Sequence, residues 1–262
     1  MKFCVLGSGS KGNATYVEAG GRALLIDAGF SGREICQRLE RIGASMARVE
    51  GILLTHEHND HIQGAGVLSR KYQTALLANQ ATFLAAGSRL GKIALFQPFQ
   101  TGEKFTFAGF SIHPFATSHD TAEPVGFVIE HQGLTLGLCM DTGMVSRLLQ
   151  QRLAGCHGLV LESNHDLQML AAGPYPLHLQ QRVRSRQGHL ANNDAARFLG
   201  DLLHARLQHV VLAHLSETNN LPELALEAVT GFLATAKNGS PLPEISLSWQ
   251  ERPGVMVQLC AT

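Results

Sequence analysis

Residues 55–61 read Thr-His-Glu-His-Asn-Asp-His and directly follow the apolar run Gly-Ile-Leu-Leu. Three imidazoles (His56, His58, His61) and the carboxylate of Asp60 therefore fall within six residues. Imidazole nitrogen and carboxylate oxygen together suit a divalent ion such as zinc or manganese, and ligand type alone does not choose between them. His56 and His58 are two apart, so on an extended segment leaving a strand they point to the same side. Asp60 and His61 come where the chain turns into a helix and are free to serve a second ion. The competing reading is a solvated polar loop, but the ordered H-x-H-x-D-H spacing is far more specific than a lone pair of histidines.

Four later positions carry donors at the ends of apolar runs: His119 after FSIHPF, Asp141 after LTLGLCM, Glu162 closing GLVLE and His214 closing HVVLAH. A strand end is where a layered fold presents side chains to a cleft. Each alone reads equally well as a satisfied residue at the edge of a core. Together, His56, His58, Asp60, His61, His119, Asp141 and His214 supply enough donors for two ions with open positions.

Periodicity identifies the elements that must carry these residues. Alternating or apolar runs predict strands at KFCVLG, ATYVEA, RALLIDAG, GILLT, TALLA, IALF, KFTF, FSIHPF, VGFVIE, LTLGLCMD, GLVLES, HVVLAH, EISLSW and GVMVQL. Ser31 with Glu34 forms a capping box, and Ile35, Leu39 and Ile42 make an apolar stripe ending at Gly43. Further helices are expected over 61–72, 145–153, 165–173, 189–207 and 221–236. With no repeat and no linker, residues 1–262 read as one domain: two sheets packed together, helices outside.

Composition sets the outer limits. A chain of 262 residues, 45% hydrophobic and 16% charged, is an ordinary globule with ample core. Lys plus Arg equals Asp plus Glu at 21 each, so no global basic field advertises a nucleic-acid partner, and recognition falls to local groups or to metals. Cys4, Cys36, Cys139, Cys156 and Cys260 are scattered and odd in number, which reads as reduced thiols. The N-terminal apolar run is too short for a signal peptide and no run is long enough to span a bilayer, so a cytoplasmic, membrane-free enzyme is expected.

LLIDAG with Asp27, THEHNDH, His119, MDTG with Asp141, and LAHLS with His214 occur in an order that resembles the metallo-β-lactamase fold superfamily, over nearly the whole chain. The resemblance implies an α+β fold, a four-layer αββα sandwich with the site at one edge between the sheets. It implies that His56, His58 and His119 hold one metal, that Asp60, His61 and His214 hold the other with Asp60 part of the catalytic set, and that Asp141 bridges them. Asp27 is then expected to orient a ligand from behind. LGSGSKGNATYV, LESNHD and GHLANNDAARFL are similar to the YycJ (WalJ) subfamily, which implies a 5′→3′ exonuclease acting on DNA. That subfamily has serine where this chain has Ala191, which removes a hydroxyl from a helix start. The 141–214 interval leaves no room for the β-CASP insertion of RNA nucleases.

Two carboxylate-bridged metals suit phosphodiester hydrolysis, because they activate a shared water as hydroxide and clamp the nonbridging oxygens. The leaving oxygen needs a proton, and His189 is the candidate donor. By analogy with tRNA-processing relatives, Glu162 would hydrogen-bond His189 and keep it cationic. Arg182, Arg184 and Arg186 alternate and on an extended stretch would share one side, either gripping phosphates or lining a solvated face. Ser8, Ser10, Lys11 and Asn13 form a Gly-rich loop able to meet a phosphate. Asn164 and His165 could line the pocket; Ser216, Asn219 and Asn220 sit just past His214, where Ser216 either meets the substrate or caps the next helix. The expected activity is thus a dinuclear phosphodiesterase on DNA. RNA or cyclic-nucleotide phosphodiesterase, thioester or lactone hydrolase, and a non-catalytic metal-stabilised module are the alternatives.

Overall fold

In the computed structural model, which describes residues 1–236 and 241–261, two seven-stranded sheets stack face to face. Numbered in chain order, the first sheet runs β14 (Val257–Gln258), β1 (Lys2–Gly7), β2 (Ala14–Ala19), β3 (Arg22–Ile26), β4 (Val49–Leu53), β5 (Ala75–Ala78), β6 (Leu95–Pro98). The second runs β13 (Glu244–Leu247), β12 (His209–Ala213), β11 (Gly158–Glu162), β10 (Leu134–Cys139), β9 (Val125–His131), β8 (Phe110–Ala116), β7 (Phe105–Phe107). Strands β3–β6 are mutually parallel, as are β10–β13; the remaining pairings are antiparallel.

Side-chain alternation explains the layering. Along β1, Phe3 and Val5 enter the core between the sheets, whereas Cys4 and Leu6 face the outer helices. On β12, Val211 and Ala213 point inward while Val210 and Leu212 meet the helices on the other side. Both faces of each central strand are thus apolar, as a sandwich covered on both sides requires. Helices α1 (Gly32–Arg41), α2 (Asn59–Ile62), α3 (Ala65–Tyr72) and α4 (Gln80–Ala86) follow strands of the first sheet. Helices α5 (Arg147–Leu153), α6 (Leu167–Ala172), α7 (Leu177–Val183), α8 (Asn192–Asp201) and α9 (Pro222–Ala236) follow those of the second. Among the described residues no helix is long and apolar enough to cross a membrane.

The Ser31 hydroxyl caps α1 by accepting from Glu34 N, but the Glu34 carboxylate turns to Arg38 Nε at 2.8 Å instead of back to the cap. Arg38 is buried, lies over the Phe30 ring and donates to Leu6 O and Gln250 O. It ties α1 to the end of β1, a role that the apolar stripe does not reveal.

Several expected elements are corrected. The helix expected over 61–72 starts at Asn59 and breaks after Ile62, where Gly64 N bonds Ala28 O. The one expected over 189–207 spans only 192–201, because residues 189–191 run extended and Ala191 pairs with His165. Ala191 is the N-cap and makes no side-chain cap bond. GVMVQL pairs only at Val257–Gln258. Helices α4 and α7 were not foreseen, and α7 overturns the extended reading of the arginine run: Arg182 sits in its last turn, so the three arginines do not share one side by strand alternation.

Candidate metal centre

Strands β3, β4, β8, β10, β11 and β12 all end at one edge of the sandwich, and each delivers a polar residue there. Three of those residues lie just beyond their strands with left-handed backbone: Asp27 (φ 61°), Asp141 (φ 53°) and His214 (φ 57°). Among non-glycine residues this region is uncommon, and Asn, Asp and His are the types enriched in it. The turn swings each side chain out of the up-down alternation and into the cleft.

The structure brings the seven expected ligands together. His56, His58 and His119 form one group with donor atoms within 4.8 Å of one another, and Asp60, His61 and His214 form another. Asp141 lies between: one carboxylate oxygen is 3.1 Å from His61 Nε2 and the other 3.0 Å from His214 Nδ1. Asp141 also groups with His56 and His61.

The groups behind the cluster aim the donors. Asp27 is fully buried and accepts from Thr55 N (2.8 Å), Thr55 Oγ1 (2.8 Å) and His61 Nδ1 (2.7 Å). His61 Nε2 is thereby turned toward Asp60 and Asp141. His56 Nδ1 meets Thr55 Oγ1 at 3.0 Å, and His119 Nδ1 donates to Gly188 O at 3.1 Å. Asn13 donates to Asp60 Oδ2 at 3.2 Å, and Ser8 Oγ links Asn13 to the backbone N–H of His214. Gly29 permits the close approach of these loops, since a Cβ there would lie 1.6 Å from Asp60 O.

The donor set fits divalent ions. His56 Nε2 is buried with no hydrogen-bond partner, an arrangement that demands an explanation in a native protein. Burial, reinforced by neighbouring imidazoles, holds His56 well below the ordinary histidine range, and burial lowers His58. Although burial opposes it, His214 and His61 hold Asp141 well below the carboxylate range, and His61 lowers Asp60. These are the protonation states of ligands. His61 and His214 shift the other way: against burial, Asp27, Asp60 and Asp141 raise His61 well above its usual range, and Asp141 raises His214 to about 10. A buried set of imidazoles and carboxylates on this fold implies metal ions.

Beside the cluster, His189 Nδ1 donates to Glu162 Oε1 at 2.7 Å. Glu162 is fully buried and also accepts from Thr142 N, Leu190 N and His214 Nδ1. Burial works against its charge, yet His189 and the bond from His214 push its carboxyl down to about 2. Parallel pairing of 164–165 with 190–192 holds the two residues in register, through Asn164 N to Leu190 O and Asn192 N to His165 O.

The expected substrate contacts are placed differently. Ser8 and Asn13 are buried and bonded within the ligand scaffold, and Asn164 donates to His214 O. Ser216 Oγ accepts from Thr218 N and Asn219 N, forming a turn cap. Lys11 is exposed and pairs with Glu217, and Arg182 pairs with Asp120. Thr55, Thr142, Asp120 and Gly188 do not stand out in the sequence, although each is directly beside a residue that does: His56, Asp141, His119 and His189.

Two stacked mixed sheets with a His/Asp cluster at their shared edge define a class, the metal-binding αββα hydrolase scaffold. The chain belongs to the beta-lactamase superfamily, whose domain matches residues 22–215, and within the metallo-β-lactamase fold to its YycJ-like subfamily. It is 40% identical over 235 residues to exodeoxyribonuclease YycJ of Bacillus anthracis, covering 89% of each chain. It is 38% identical over 243 residues to exodeoxyribonuclease WalJ of Streptococcus pneumoniae, covering 91% of this chain and 90% of that one. Among solved structures, YhfI of Bacillus subtilis shares the fold at a TM-score of 0.73 and 17% identity, over 97% of this chain and 99% of that one.

Proposed function

We propose that this protein is a 5′→3′ DNA exonuclease that binds two divalent ions, zinc or manganese, within one catalytic domain and works in the cytoplasm. One observation carries the reading: the His189–Glu162 pair at 2.7 Å stands directly against the cluster of seven donors. The similarity to YycJ and WalJ, both exodeoxyribonucleases by name, supports DNA as the substrate.

His56, His58 and His119 would hold one ion and Asp60, His61 and His214 the other, with Asp141 shared. Bound there, divalent ions supply the polarisation that makes water a nucleophile and neutralise charge on the phosphate oxygens. The protein's residues supply the rest. Glu162 orients His189 through Nδ1, and His189, 22% exposed, presents its other nitrogen to the cleft. From there it hands a proton to the departing sugar oxygen, a group too basic to leave as an alkoxide.

His189→Ala should retain wild-type metal content. Its turnover on 5′-phosphorylated DNA should fall about 10²- to 10⁴-fold, the usual span for a lost general acid. Cleavage of bis(p-nitrophenyl) phosphate, whose phenolate leaves unaided, should change far less. Equal losses on both substrates would remove His189 from proton transfer, and faster cleavage of RNA than of DNA would move the substrate.

A further inference from the structure

Helix α7 borders the metal centre with little to hold it. None of its side chains is buried, and its N-cap residue Pro176 makes no side-chain cap bond. Among the described residues, its side-chain hydrogen bonds to distant segments come from Arg182 alone. Arg182 Nε and Nη2 both donate to Asp120 Oδ2, at 2.7 and 2.6 Å. Asp120 immediately follows His119, and its other oxygen lies 3.4 Å from His119 Nε2.

The turn leaving α7 is wound on backbone bonds: Ser185 N to Arg182 O, Gly188 N to Ser185 O and His189 N to Val183 O. It then returns to the same loop, where Gly188 O accepts from His119 Nδ1. A cavity of about 110 Å³ lies between the two segments, lined by His119, Asp120, Leu179, Arg182 and His189. Thus the loop bearing one metal ligand and the turn bearing the proton donor meet at two points, one backbone and one ionic.

We propose that Asp120 and Arg182 are a positioning pair that latches α7 against the His119 loop and thereby sets His189 in place. This rests on the reading of His189 as proton donor. An ion pair with Arg182 59% and Asp120 29% exposed adds little to folding stability. Its effect is geometric, because releasing Arg182 frees the helix whose last carbonyls hold the His189 turn.

The test uses the metal-loaded full chain with Asp120→Asn, Arg182→Gln and the exchanged double variant Asp120→Arg/Arg182→Asp. Each single variant should cut DNA about tenfold more slowly through kcat, since small misplacement of a catalytic group is costly. Bis(p-nitrophenyl) phosphate turnover should stay within about twofold, and the exchanged pair should recover most of the DNA rate by restoring the ion pair. Amide hydrogen exchange over 184–189 should quicken about tenfold in the single variants while β11 and β12 keep their protection. Equal loss on both substrates, or unchanged exchange over 184–189, overturns the latch. Should the wild-type protein leave DNA intact, the proposed function falls, and the exchange measurement still judges the latch on its own.

Discussion

Asp27→Asn probes the aiming of the metal ligands with almost no change in shape. A carboxylate only accepts, so the Asp27 contacts fix which nitrogen of two histidines faces the metal side. Oδ2 takes the proton on His61 Nδ1 at 2.7 Å, so Nε2, which faces Asp60 and Asp141, is the nitrogen that turns ligand once its own proton leaves. The same oxygen takes the Thr55 hydroxyl proton at 2.8 Å, so Thr55 Oγ1 must accept from His56 Nδ1, leaving His56 Nε2 free. One buried carboxylate thus prepares a nitrogen in each ligand group, directly in one and through a hydroxyl in the other. Asparagine reverses this by placing an N–H₂ where Oδ2 accepts, and His61 then either loses its partner or moves its proton to the metal side.

Loss of such an orienting partner costs about 10- to 100-fold in metal affinity, or about 1.4–2.8 kcal/mol. Competition against a chromophoric chelator measures both ions. The ion at Asp60, His61 and His214 should weaken by that amount, and the ion at His56, His58 and His119 by less. Thr55→Val, which cuts only the relay, should weaken the second ion and spare the first. Wild-type affinity for both ions in Asp27→Asn would refute the argument.

Four further outcomes follow. Metal uptake near pH 7.5 should release about two protons, from His61 and from His214 with its pKa near 10, and calorimetry in buffers of different ionisation enthalpy counts them. Because both folded-state values are raised, the stability they give the metal-free protein is complete below about pH 6.5 and is lost as pH climbs toward 10; chelator-treated protein should therefore melt at falling temperature over that window, and a flat profile would contradict the assignment. Gly188→Ala would put a Cβ 2.2 Å from Val183 O and 2.3 Å from Arg182 O, so DNA turnover should drop at least about 10²-fold with global melting little changed. Arg38→Ala removes a buried cation bonded to Leu6 O, Gln250 O and Glu34 and should lower unfolding stability by about 3 kcal/mol in denaturant titration, without altering metal stoichiometry.

Periodic burial made most of this architecture legible in the sequence. Each central strand is apolar on both faces, and Asp141, Glu162 and His214 close or directly follow such a run. Helix α7 escaped notice for the opposite reason: it buries no side chain, so LHLQQRV carries no apolar stripe to read. Helix α4 buries only Thr82 and Ala86, too small and too polar to mark a face. The arginine run misled because alternation has meaning only on an extended backbone. Long-range bonds left no local trace either: Asp120 to Arg182 spans 62 positions, His119 to Gly188 spans 69, and Arg38 to Gln250 spans 212. Residue types that do chemistry could be read one by one, whereas the groups that aim them belong to other segments.

The backbone at the strand ends shows what the site requires of the fold. Side chains that keep the strand alternation point into the core between the sheets or into a helix layer, and among the site residues Glu162 alone reaches the edge from within a strand, at the last position of β11. Asp27, Asp141 and His214 reach it with positive φ, a conformation costing a non-glycine residue roughly 1–2 kcal/mol. Glycine would occupy these corners without strain, so the presence of two carboxylates and an imidazole there is hard to account for by folding alone. Each is instead over-determined by its surroundings: Asp27 by Thr55 and His61, Asp141 by His61 and His214, His214 by Ser8 and Asn164. Backbone strain and donor chemistry coincide at these three corners, and both point to a site built to hold cations at the sheet edge.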